Sequence, residues 1–130
     1  PHNGVDFGAP IGTPIYSIGS GVVITTGYDN ANGNYVKIKH NATYSSAYCH
    51  LYKIKSEIRK GVRVRQGQTI GFVGKTGLAT GPHLHLAFYR NGSYVNFLTV
   101  KFPSLGSISS NDKDRFSFLK DHALDVTNIE

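Results

Sequence analysis

Hydrophobic and polar positions alternate along most of the chain, in short runs broken by glycine. "NYVKIKH" (34–40) sets Val36 and Ile38 on one face and Lys37 and Lys39 on the other, the period-two signature of a half-buried strand. "TPIYSIGSGVVITTGY" (13–28) predicts two short strands interrupted at Gly19 to Gly21, and "YSSAYCHL" (44–51) predicts another. "GVRVRQGQTIGFVG" (61–74) reads as two strands around a tight Gln66-Gly67 turn. "HLHLAFYR" and "SYVNF" flank Asn91-Gly92, a strong short hairpin signal. The pattern predicts an all-β, antiparallel domain over residues 1–102. After Phe102-Pro103 it changes. Caps at Ser109, Ser110 or Asn111, with Phe116, Leu119 and Ala123 at helical spacing, predict a C-terminal helix within segment 103–130, packed on the sheet or on a partner.

Composition narrows this little. Fifteen glycines among 130 residues suit many turns. The single cysteine, Cys49, excludes an intrachain disulfide and leaves the compartment open. No apolar run is long enough to span a bilayer. The opening "PHNGVDFGAP" has neither an initiator Met nor a signal peptide, so the chain is expected to be a processed or trimmed piece of a longer one. The net charge is +6, and between Asn30 and Ser110 the only acid is Glu57. That field attracts a polyanion: nucleic acid, an anionic envelope or an acidic peptide. No exposed aromatics interleave with the bases in a nucleic-acid module, so nucleic acid is not an expected partner.

The chemistry concentrates in histidines. In "GPHLHLAFYR" (81–90), His83 and His85 share one strand face and Leu84, Leu86 and Phe88 the other. One imidazole could hold a metal while the other reaches its open position; a histidine satisfied by a neighbour is the plainer reading of so short a motif. His2 and Asp6 lie four apart in "HNGVD", where Gly4 and Gly8-Ala9-Pro10 argue for strand or loop. A His, an Asp and one further His make a three-ligand zinc site with a fourth position for water. In "AYCHL", period two places Tyr48 and His50 on one face and Cys49 on the other, with Cys49 a small core residue. His40 is expected to be structural or at the surface, and His122 solvated on the helix. Gly74-Lys75-Thr76 looks like the end of a phosphate-binding loop, but Thr69 stands where that loop needs glycine and no helix follows. The two Asn-x-Ser/Thr sequons carry no functional weight.

"HNGVDFGAPIGTPIYSIGSGVV", "GNYVKIKH", "AYCHL", "GVRVRQGQTIGFVGKTG" and "ATGPHLHL" occur together in this order. The set resembles the lysostaphin/LytM-type zinc endopeptidases that cut peptidoglycan peptides. The tail from Tyr94 to Leu119 is similar to the end of the Gram-negative murein DD-endopeptidase branch. The resemblance implies one zinc per chain held by His2, Asp6 and His85. It implies His83 as general base and His50 as stabiliser of the transition state. Two departures stand out. Ala87 occupies a position that often carries an acid, and Phe97 stands where proline is usual.

The implied function is hydrolysis of peptidoglycan peptide cross-links, between D-Ala and meso-diaminopimelate, in the bacterial envelope, in the periplasm or anchored to the inner membrane and facing it. The alternative is a non-catalytic LytM-type regulator of other murein hydrolases; such proteins usually lose ligands that this chain keeps. His2 is nearly terminal, so an upstream domain or chain of the same precursor is an expected partner that steadies its strand and regulates the site.

Overall fold

The computed structural model describes residues 4–95 and 125–129. Ten strands lie there: β1 Val5–Gly8, β2 Pro14–Tyr16, β3 Gly21–Asp29, β4 Gly33–Lys39, β5 Tyr44–Ile54, β6 Arg63–Val64, β7 Thr69–Val73, β8 His83–Arg90, β9 Ser93–Val95 and β10 Asp125–Ile129. All pairings are antiparallel. The main path is β10-β1-β8-β5-β4-β3-β6, with β9 beside β8 and β2 joined through β7 to β5. The all-β expectation is met. The predicted helix, His122 included, lies outside the described residues. Within 103–130 the described part is β10, which the sequence pattern did not predict. It runs along β1 with Asn128 opposite Asp6. No helix among the described residues is long and apolar enough to cross a membrane.

Alternation becomes burial. Val36 and Ile38 are fully buried while Lys37 and Lys39 are exposed. Leu84, Leu86 and Phe88 of β8 join Val5, Phe7, Ile15, Tyr48, Ile70 and Val73 in one core. Fully burying an apolar side chain of this size contributes about 1.5–3 kcal/mol. Tyr48 is the polar exception that satisfies itself: its hydroxyl accepts from Ile18 N at 2.9 Å and from Ser46 Oγ at 2.9 Å. His40 extends this network, Nε2 2.8 Å from Ser46 Oγ and Nδ1 2.8 Å from Ser20 O, in the structural role expected of it. The β8–β9 turn has φ 51° at Asn91 and 83° at Gly92, the two positive values a two-residue hairpin needs.

β5 organises the site. Its first half pairs with β8, ending at Cys49 opposite His85; its second half pairs with β7, starting at Leu51 opposite Val73. On its other side Asn34 and Val36 of β4 face Leu51 and Tyr48. Two residues' advance on β4 matches three on β5, which is a β-bulge with one extra residue. His50 sits in that bulge, where β5 leaves one partner and joins the other.

Candidate active site

Asp6 of β1 and His85 of β8 are direct cross-strand partners, so their side chains share a face. Asp6 Oδ1 lies 2.7 Å from His85 Nδ1 and 3.5 Å from His83 Nε2. Asp6 is only 6% exposed, and a buried carboxylate requires such partners. The other edge of the His85 ring rests on Gly4: a Cβ there would overlap the imidazole and come within 2.9 Å of Leu86 O. Glycine is therefore needed at position 4 for close approach.

His83 stands on the same face. Its Nδ1 is 2.8 Å from Gly81 O. A carbonyl only accepts, so Nδ1 carries a proton, and Nε2 is the nitrogen turned toward Asp6. Gly81 and Pro82 thus shape the loop that delivers His83.

His50 reaches this group by a route that strict alternation does not foresee. Period two placed Tyr48 and His50 together, away from Cys49. Instead Tyr48 pairs with Leu86 on the core face and Cys49 pairs with His85 on the site face. The bulge supplies the half-turn that brings His50 back to the site. Its φ is 66°, a left-handed conformation costing a non-glycine residue roughly 1–2 kcal/mol. Two hydrogen bonds hold it there: His50 N donates to Asn32 O at 2.7 Å, and Nδ1 donates to Thr76 O at 2.7 Å. The His50 ring lies 4.9 Å from that of His83 and 6.1 Å from that of His85. Burial holds its pKa below the ordinary histidine range.

Four of the five expected site residues, Asp6, His50, His83 and His85, therefore converge. The fifth, His2, lies outside the described residues, and no group of three metal donors forms among the described ones. A buried carboxylate and an imidazole nitrogen aimed at each other are donors zinc accepts, so the described pair fits the metal. Cys49 is buried, as expected, though on the site face, and burial pushes its thiol up to about 12. Ala87 is also buried and faces Ala47, so no carboxylate enters from there. Lys75 is exposed and is followed by turn and strand, which removes the phosphate-loop reading. Sequence reasoning missed Gly4 and Thr76 as contacts of the two imidazoles. Both contacts join residues far apart in the sequence.

Residues 1–97 match Peptidase family M23. The chain is 47% identical over 115 residues to the peptidoglycan DD-endopeptidase ShyC of Vibrio cholerae, covering 88% of this chain and 26% of that protein. It spans about a quarter of the length of the curated relatives it matches. A solved zinc-containing peptidase from Vibrio cholerae aligns with TM-score 0.70 at 46% identity, covering 73% of this chain and 29% of that one. The catalytic domain of the antimicrobial peptidase lysostaphin from Staphylococcus simulans aligns with TM-score 0.65 at 38% identity, covering 69% of this chain and 68% of that one.

Proposed function

From the premise that the chain belongs to peptidase family M23, we propose that it is a zinc-dependent endopeptidase that hydrolyses peptide cross-links of peptidoglycan in the bacterial envelope. The bond is D-Ala to meso-diaminopimelate, and the compartment is the periplasm. The observation that carries this reading is the convergence of Asp6, His85, His83 and His50 on one face, where β5 changes partner. A fold alone would not suffice, since function resides in the site.

His2, Asp6 and His85 hold one zinc. When bound, it polarises a carbonyl and lowers the pKa of water. His83 Nε2 takes the proton of the water that attacks the scissile carbonyl carbon. Asp6 Oδ1, 3.5 Å away, steadies the imidazolium that results. His50, protonated, donates from Nε2 to the carbonyl oxygen as it gains negative charge; that charge favours the protonated ring against the cost of burial. Cleavage of the C–N bond then returns the His83 proton to the leaving amine. One water is consumed, and a carboxylate and an amine are released.

The test is incubation of zinc-loaded protein with purified sacculi, with and without a chelator. Soluble cross-link fragments that vanish with chelator and return with zinc support the reading. Release unaffected by chelator would remove the metal from the account.

A further inference from the structure

The look-alike phosphate loop at Gly74-Lys75-Thr76 has a place in the site. Thr76 O accepts from His50 Nδ1 at 2.7 Å. The threonine hydroxyl fixes where that carbonyl sits: Oγ1 donates to Leu51 O at 2.8 Å and accepts from Asn34 N at 3.1 Å. It thus ties the loop to both strands flanking the bulge, on the residue next to His50. The loop is seated from the other side as well. Gly33, at φ 66°, has no room for a Cβ because Thr76 occupies it. Gly77, at φ 78°, lies so close to Gly33 N and Ala31 O that it too admits no side chain. Leu78 N donates to Ala31 O at 3.2 Å. The turn beneath is stapled by Asp29, whose Oδ1 accepts from Ala31 N at 3.0 Å and Asn32 N at 2.7 Å. Asn32 O in turn holds the His50 backbone. His50 is therefore gripped at its backbone by one loop and at its ring by another, and Thr76 locks the two together.

We infer that Thr76 is a positioning residue for His50: its hydroxyl anchors the carbonyl that accepts from Nδ1–H and so fixes the direction of the His50 imidazole. The inference rests on the proposed role of His50 in peptide hydrolysis. Physically, a ring held at Nδ1 presents Nε2 alone to substrate, and loss of the anchor leaves a bulged residue free to rotate. A displacement of about 1 Å can cost on the order of 10²-fold in rate.

The experiment compares Thr76→Val and Thr76→Ser in zinc-loaded protein on a cross-linked peptidoglycan dimer. Thr76→Val is expected to lower kcat by about 10²-fold, with KM and zinc content unchanged. Thr76→Ser, which keeps the hydroxyl, should recover most of that loss. Thr76→Val added to His50→Ala should cost nothing further, because the two act as one unit. An independent reading comes from the ¹⁵N signature of the His50 ring: a hydrogen-bonded Nδ1–H in the wild type that is weakened or lost in Thr76→Val. If the wild type turns over nothing, the functional reading fails, and the ring signature still decides the positioning claim. Unchanged kcat and Nδ1–H signal in Thr76→Val, equal damage in Thr76→Ser, or additive loss with His50→Ala would each overturn it.

Discussion

Asp6 and His85, 79 residues apart in sequence, face each other directly across β1 and β8 with Oδ1 and Nδ1 2.7 Å apart. The pairing is fixed by register, because Val5 and Phe7 on either side of Asp6 must face the core. A slip of one residue would turn Asp6 inward and Val5 toward the imidazoles. The Asp6–His85 contact and the core packing are thus set by one alignment. The Asp6→Ala, His85→Ala double variant is expected to lose its zinc, read by metal analysis. Undiminished zinc in that variant contradicts the ligand assignment.

Gly4 makes the second prediction. An alanine methyl there must displace the His85 ring, whose Cε1 would lie 2.5 Å from it. Disturbing the support of a ligand typically lowers metal affinity 10–100-fold, about what is expected of Gly4→Ala in a chelator competition. Wild-type affinity would show that the ring has room to move.

His83 and His85 should separate cleanly. His83→Ala is expected to keep zinc and lose activity by about 10²–10⁴-fold, the range for a general acid–base group. A variant that releases zinc as readily as His85→Ala would exchange the two roles.

Cys49 should be inert. Burial pushes its thiol up to about 12, so at pH 8 roughly one molecule in 10⁴ carries the thiolate. A disulfide reagent is expected to leave the folded protein unmodified and to react fully in urea. Rapid modification of folded protein would place the thiol in reach of solvent.

Much of this site was legible in local pattern. The alternation of Leu84, Leu86 and Phe88 with His83 and His85 predicted one face for both imidazoles, and the strand has that geometry. Asn91-Gly92 carried its hairpin for the same reason: the conformation depends on the two residues themselves. The face of His50 was not legible. It depends on an extra residue in β5 relative to β4, and nothing in "AYCHL" records how many residues the neighbouring strand advances. Assuming strict alternation therefore exchanged the faces of Tyr48 and Cys49. The contribution of Thr76 was hidden likewise, since its partners Asn34 and Leu51 are distant in sequence. β10 is not legible in the sequence, because the caps and helical spacing upstream of it predict a helix for the segment.

The most direct measurement is product analysis of a purified cross-linked muropeptide dimer incubated with the zinc-loaded chain. The account predicts that dimer falls and monomer rises in proportion, with a new amine on diaminopimelate and a new carboxylate on D-Ala, and that His83→Ala abolishes the change at equal zinc occupancy. Intact dimer at full zinc occupancy would contradict it.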